Sequence, residues 1–398
     1  MKVLHIGKYF PPYRGGMETY LRDLMAALKP LGIECSALVH RSEISYRSTD
    51  EQYSVDGTSL PVTRAAVWAR LLFTPLSPTF PFLLHKLIKR DQPDVLHLHM
   101  PNVSVFWALL LPSSRRIPWI VHWHSDVLAS EHSLGLRIFY RVYRPLESAI
   151  LRRSASIVAT SPPYLEASEP LASFRDKCAV VPLGIRPQAV VTSQEPERSI
   201  LDNQAAYLEV KEPGEETKVL QVLAVGRLAY YKGFQYLIEA IAKTPDIQLD
   251  LVGAGEKEAE LRSLAAKLNI TERITFRGAT DDEELGHLMD ACDCLCLPSI
   301  ERTEAFGLVL LEAMSHGKAV IASQLAGSGI GWVVDDGVTG LQVPPADAGA
   351  LANCLRILQR DRDKITYLGR SGQDRYIEYF HINKSAVGVA EVYQQVDK

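Results

Sequence analysis

Residues 292–314 read Cys292-Asp293-Cys294-Leu295-Cys296-Leu297-Pro298-Ser299-Ile300-Glu301-Arg302-Thr303-Glu304-Ala305-Phe306-Gly307-Leu308-Val309-Leu310-Leu311-Glu312-Ala313-Met314. The alternation over 292–297 predicts a strand with its three cysteines on one face. The apolar run after Gly307 predicts a helix over 308–315. Two glutamates bracket seven residues, Glu304 just before the helix and Glu312 inside it. A helix start offers N–H groups and a positive dipole end to a phosphate. Glu304 would then lie beside whatever the phosphate carries; the alternative is a solvated acid ahead of an ordinary buried helix.

The same alternation of strand and helix extends in both directions. Upstream, strands are predicted at 219–225, 248–252 and 274–277, with helices at 236–243, 256–268 and 282–290. Downstream come a strand at 319–322 and a mostly helical stretch over 346–396. An earlier series opens the chain, with a strand at 3–6, a loop ending in Gly15-Gly16, a helix over 17–31 and a strand at 34–39. Further strands fall at 95–99, 119–124, 156–160 and 178–181. Residues 187–216 are polar and uneven and read as linker and surface insertion. Alternating β and α elements imply parallel sheets covered on both faces. Two series imply two doubly wound α/β domains with ligands at the carboxyl ends of their strands.

The bulk properties agree. A chain of 398 residues, 47% apolar and 23% charged, is too long for one ordinary domain and too apolar for general disorder. The opening residues read as a strand rather than a secretory signal. The nearest approach to a membrane span, 71–84, carries Pro75, Pro78 and Pro81 and falls short of the roughly 20 apolar residues required. The six cysteines have no zinc-finger spacing and read as small buried hydrophobes in a reduced, cytoplasmic protein. Residues 1–190 hold 22 Lys+Arg against 15 Asp+Glu, and residues 191–398 hold 21 against 32. The basic half calls for an anionic partner.

Three further motifs carry chemistry. Val225-Gly226-Arg227-Leu228-Ala229-Tyr230-Tyr231-Lys232-Gly233 sets two fixed cations on a loop after a strand, suited to a diphosphate. Gly15-Gly16-Met17-Glu18 lets a backbone approach phosphate at a helix start. Val121-His122-Trp123-His124-Ser125-Asp126 puts His124 at a strand end. His97 and His99 end another strand and either line the acceptor side or belong to the core.

Together these residues resemble glycosyltransferase family 4, a family of retaining enzymes with the GT-B fold of two Rossmann-like domains and an interdomain cleft. The 304–312 spacing is similar to the family's E-x7-E motif, and 226–233 to its G-R-x4-K-G segment. The resemblance implies that Glu304 contacts the donor sugar and Glu312 the ribose. It implies that Arg227 and Lys232 bind the pyrophosphate, that Gly15, Gly16, Phe306, Gly307 and Leu308 border the donor, and that His124 acts at the reacting centre. It places an acceptor-binding domain over 1–187, a sugar-nucleotide domain over 188–375, and a C-terminal helix over 376–398 packing back on the first. At Leu183 and Arg186 the family often has Asn and Asp, which bears on the hinge.

The implied reaction is front-face transfer of a hexose from a nucleoside-diphosphate sugar, with a lean to a GDP-mannose-like donor. Surface polysaccharide assembly is the setting. No D-x-D motif suits a metal; Asp361-Arg362-Asp363 lies in a charged helical region. No metal or cofactor is therefore expected. The acceptor is a saccharide or a polyprenyl-diphosphate-linked saccharide. Arg137, Arg141, Arg144, Arg152 and Arg153, interleaved with Phe139, Tyr140 and Tyr143, suit anionic lipid headgroups at the inner face of the plasma membrane. So does the 68–84 stretch with Lys86, Lys89 and Arg90, although an ordinary solvated face is the alternative. A nicotinamide-dependent oxidoreductase is disfavoured, because Gly253-Ala254-Gly255 has Glu258 where its third glycine belongs. A non-catalytic sugar-nucleotide or membrane-surface binding protein is disfavoured by intact Glu304, Arg227 and Lys232. Nucleic acid is not an expected partner, since the acidic half repels phosphate.

Overall fold

The computed structural model describes residues 1–71, 74–127, 134–187 and 219–396, the side chains of 134–139 excepted. The stretch read as a linker therefore lies outside the described residues, apart from Pro187. So do the side chains of Arg137 and Phe139.

The first unit contains β1 (Lys2–Ile6), α1 (Gly16–Leu28), β2 (Glu34–His40), β3 (Thr49–Val55), β4 (Thr58–Ala65), β5 (Ala69–Leu71), β6 (Thr74–Leu76), α2 (Phe80–Asp91) and β7 (Val95–Met100). It continues with α3 (Trp107–Leu110), β8 (Trp119–Trp123), α4 (Leu134–Arg153), β9 (Ser156–Ala159), α5 (Pro162–Ala167) and β10 (Cys178–Val180). Its main sheet has the order β10-β9-β8-β7-β1-β2-β4-β3. All neighbours are parallel except the β3–β4 hairpin at the edge. Leu4 and Ile6 of β1, Leu96 and Leu98 of β7, and Trp119, Val121 and Trp123 of β8 fill the core on one face. The strand period of two therefore sends His5, His97, His99 and His122 to the other face.

The second unit contains β11 (Leu220–Val225), α6 (Phe234–Ala242), β12 (Ile247–Val252), α7 (Glu258–Lys267), β13 (Ile274–Gly278), α8 (Asp282–Ala291) and β14 (Cys294–Leu297). After these come α9 (Leu308–Ser315), β15 (Ala319–Ser323), α10 (Ile330–Val333), β16 (Leu341–Val343), α11 (Ala348–Arg360), α12 (Arg362–Arg375) and α13 (Ile382–Val396). A π-helical turn at Tyr376–Phe380 separates the last two helices. The sheet order is β13-β12-β11-β14-β15-β16, parallel throughout. Both units are doubly wound. Their order reverses at β1/β7 and at β11/β14, and the loops leaving the carboxyl ends of those strands open a crevice in each.

The sequence reading missed the β3–β4 hairpin, α2 and β16, and it placed Cys292 in a strand. The strand begins only at Cys294. Cys292 instead lies just beyond α8, its Sγ 3.3 Å from the Met289 carbonyl. Burial pushes its thiol up to about 12. One core cluster runs through both units, joining Leu21 and Leu24 of α1 to Leu310 and Leu311 of α9 and to Val389 and Tyr393 of α13. α13 lies against the first unit, where the Tyr393 hydroxyl is 2.5 Å from His97 Nδ1. Among the described residues no helix is long and apolar enough to cross a membrane.

Candidate active site

Two helix starts meet in the crevice. α1 begins behind Gly15 and α9 behind Gly307, and neither has a side-chain cap. The glycines themselves cap nothing, and at α1 the buried Glu18 carboxylate takes its own backbone N–H, while the remaining first-turn N–H groups carry the positive end of each dipole. Gly307 sits at φ 79°, a left-handed conformation that disfavours other residues. Gly16 is a close approach instead. A β-carbon there would lie 2.8 Å from Leu308 Cδ1, across the crevice. Two electropositive ends from the two units thus border one gap.

Glu304 and Lys232 stand beside that gap as a pair. Lys232 ends the loop after β11, Glu304 the loop after β14, and Lys232 Nζ lies 2.5 Å from Glu304 Oε2. Both side chains are largely buried. Burial lowers the Lys232 ammonium's pKa, but the Glu304 charge and Tyr231 outweigh it and hold it above the usual lysine value. Ser299 Oγ donates to the same Glu304 oxygen at 3.3 Å, and Ser328 Oγ donates to the Glu304 carbonyl at 2.5 Å. Arg227, half exposed on the same loop as Lys232, pairs with Glu256 at 3.1 Å. Both cations thus rest on carboxylates.

Glu312 faces a cavity of about 610 Å³ between the units, bordered also by Arg22 and Asp23 of α1 and by Asp282 and His287 of α8. Burial, then the nearby Asp282 charge, raises the Glu312 carboxyl to about 7, with Lys232 opposing. Phe306 gives the crevice no ring. It is sealed against Phe380 and Trp332, with centroids 6.0 and 6.4 Å away, so only its backbone remains available.

His124 follows β8 directly, its backbone N–H bonded to the Met100 carbonyl. Burial lowers its pKa to about 3, so the ring is neutral. Of the two, His99 borders a small pocket with Gly7, Lys8, Met17 and Glu18, and His97 lies deeper in the core. Both are buried, His97 between Tyr393 and His122 and His99 between His5 and His124. The apolar face they share with α1 and α13 closes over them. His5, His97 and His99, and likewise His99, His122 and His124, bring ring nitrogens within 4.8 Å of one another. These groups make poor metal cages. Along each strand the rings stack within 5–8° of parallel, and the nitrogens that do face one another, His99 with His124 and His97 with His122, are already taken up in hydrogen bonds.

The sequence reading passed over Asp126 and Arg302. Asp126, two residues after His124, accepts from Trp123 Nε1 and Ser168 Oγ and forms an ion pair with Arg302 of the second unit. Arg302 also lies over the Tyr164 ring, 4.8 Å from its centroid. These partners stand 176 residues apart, so no local pattern announces them. Their only signal was position, each in a loop after a strand at the crevice.

Two family models match. "Glycosyl transferase 4-like domain" covers residues 15–184 and "Glycosyl transferases group 1" covers 208–375. A D-rhamnosyltransferase of Pseudomonas aeruginosa is 30% identical over 383 residues, covering 96% of this chain and 92% of its own. An O-antigen chain mannosyltransferase of Escherichia coli is 27% identical over 388 residues, with 96% and 94% covered. The solved structure of a sucrose-phosphate synthase from Thermosynechococcus elongatus superposes with a TM-score of 0.77 at 24% identity, covering 99% of this chain and 98% of that one. With two doubly wound units, a shared crevice and matches spanning nearly the whole chain, this protein belongs to the family-4 glycosyltransferases of the GT-B fold.

Proposed function

We propose that this glycosyltransferase moves a hexose, with retention of anomeric configuration, from a nucleoside-diphosphate sugar to a saccharide or polyprenyl-diphosphate-linked saccharide. The donor is GDP-mannose-like and the product belongs to a surface polysaccharide. The observation that carries the reading is the meeting of the α1 and α9 starts beside the Lys232–Glu304 pair. A diphosphate set in that gap receives N–H groups from both units. Lys232 and Arg227 turn from their carboxylates to its oxygens and stabilise the charge that grows as the glycosyl bond breaks. Glu304, released from Lys232, then faces the developing oxocarbenium ion. The acceptor hydroxyl attacks from the side the diphosphate leaves, giving its proton to the leaving phosphate. Glu312 takes the ribose hydroxyls, and His124 the sugar. No step calls for a metal.

The relatives named as mannosyl- and D-rhamnosyltransferases support a manno-configured donor, since both sugars share that ring stereochemistry. A docking role for the inner membrane surface is supported by Trp68, Leu71, Leu76 and Phe82, all exposed, beside exposed Lys86 and Lys89, while Arg90 pairs with Asp91 and Arg70 bonds the Ser42 carbonyl. On α4, Arg141, Arg152 and Arg153 are exposed, whereas Tyr143 is buried and Arg144 pairs with Glu169. The membrane reading therefore rests mainly on β5, β6 and α2. The reaction is tested by supplying GDP-mannose or UDP-hexoses with a lipid-linked saccharide and assigning the new linkage by NMR. An α-linked mannoside from GDP-mannose is expected. A β-linkage, or transfer only from a UDP-sugar, would overturn the corresponding part.

A further inference from the structure

Five histidines on β1, β7 and β8, or directly following β8, share one sheet face under α1 and α13. Register sets His5 opposite His97 and His99 opposite His122. The rings form two hydrogen-bonded chains. One runs from His5 Nδ1 to His99 Nε2 at 3.1 Å and from His99 Nδ1 to His124 Nε2 at 2.9 Å. The other runs from Tyr393 to His97 at 2.5 Å and from His97 Nε2 to His122 Nδ1 at 3.2 Å. In the first chain both nitrogens of His99 are occupied. The outer nitrogens, His5 Nε2 and His124 Nδ1, have no partner among the described residues.

We propose that His99, backed by His5, is a positioning residue that fixes the ring plane and tautomer of His124, and so decides whether His124 Nδ1 meets the substrate as donor or acceptor. The inference rests on the reading of His124 as a site group. A neutral imidazole has one N–H and one lone pair. Three of them joined by two N–H···N bonds allow two proton arrangements. Either every proton points towards His124, leaving Nδ1–H as donor, or every proton points towards His5, leaving Nδ1 as acceptor. A mixed chain would set two protons or two lone pairs face to face in a buried site. His124 therefore changes role only if His99 and His5 change with it. An apolar side chain at 99 would fill the sheet face without needing hydrogen-bond partners. The imidazole contributes a fixed orientation instead. The chain ends at the carboxyl edge of the sheet, where the proposed function sets the reacting sugar, and His124 Nδ1 is buried there in this structure.

The test uses the full-length enzyme. His99→Leu removes both bonds at similar volume, and His99→Asn keeps an amide near the position of Nδ1. In wild type, 15N shifts of labelled histidine should show His124 as a single neutral tautomer. His99→Leu should give a mixture. It should also lower kcat by about 10-fold to 100-fold, with the donor KM within about twofold, the scale of a misplaced reacting group. His99→Asn should restore most of kcat. Should His99→Leu not fold, His5→Leu reads the same chain one ring further back, and there too His124 should become a mixture. An unchanged His124 tautomer in either leucine variant, or equal kcat in the Leu and Asn variants, overturns the proposal. His124→Ala separates the two readings. Full turnover in that variant refutes the site role of His124 and the positioning role with it. Loss of turnover there, beside full turnover in His99→Leu, refutes the positioning role alone.

Discussion

Lys232 and Glu304 hold each other at 2.5 Å with little solvent around either. The pair keeps both charges satisfied until a ligand arrives, because removing one partner strands the other. The two should separate in kinetics. Lys232→Met is expected to weaken donor binding and to lower turnover by about 100-fold or more, as for loss of a group that stabilises transition-state charge. Glu304→Gln should lower turnover on that scale while leaving nucleoside diphosphate affinity close to wild type. Titration with the nucleotide and initial rates with the full donor check both. The buried histidines make a second expectation. Burial lowers His5 and His124 to about 3 and His40 to about 4, and takes His97, His99 and His122 well below 6.5. Unfolded histidines bind protons near 6.5 while the folded ones do not, so stability is present above that pH and lost as it falls. Each contributes up to about 1.4 kcal/mol per pH unit. Glu18, raised, Glu312, raised to about 7, and Glu147, raised to about 8, act in the opposite sense. Six histidines outweigh three carboxyls, so melting temperature should fall from pH 6.5 to 4.5. A flat or rising profile would contradict the neutral ladder.

At the scale of elements, α1 and α9 have to touch for the site to exist. Gly16→Val would push a branched side chain into Leu308. It is expected to raise the donor KM by about 10-fold, equivalent to about 1.4 kcal/mol, while circular dichroism stays unchanged. The elements also show where the sequence was readable. The stretch from β14 to α9 was legible because its apolar residues are buried and its turn carries Gly307. The β3–β4 hairpin was not, because β3 alternates exposed and half-buried residues without an apolar face. α2 was hidden by Pro81 and by Pro75 and Pro78 just before it. Pro81 stands in the first turn, where a helix tolerates it, and an 80–91 helix follows. The histidine alternations on β7 and β8 disclosed a shared face. Whether that face met substrate or core depended on α13, whose Tyr393 is 296 residues from His97. Glu304 and Leu308 share the β14–α9 segment, and Lys232 and Gly16 come from two others. Their spacing in sequence supplied residue types, and only the two sheet reversals bring them to one gap.

Over the whole molecule, backbone and side-chain bonds from residues 376–393 tie the second unit to the first, and among the described residues Asp126–Arg302 is a buried ion pair that spans the crevice. Arg302→Ala should open the unliganded molecule, seen as a larger radius of gyration in small-angle scattering, while the melting temperature of each unit changes little. An unchanged radius would show that the α13 and α9 contacts alone set the arrangement. The exposed Trp68 and Phe82 belong to this scale as well. Changing both to Ser is expected to reduce binding to anionic vesicles and to leave transfer to a soluble saccharide acceptor intact.

The central claim is that the gap between the α1 and α9 starts holds a nucleoside diphosphate. Its most direct test is thermal stabilisation of the full chain by GDP, UDP, ADP and NAD(H), repeated on Arg227→Ala. Stabilisation by one nucleoside diphosphate, GDP foremost, that is lost in Arg227→Ala is the expected result. Stabilisation by NAD(H) alone, or by none of them, would contradict it.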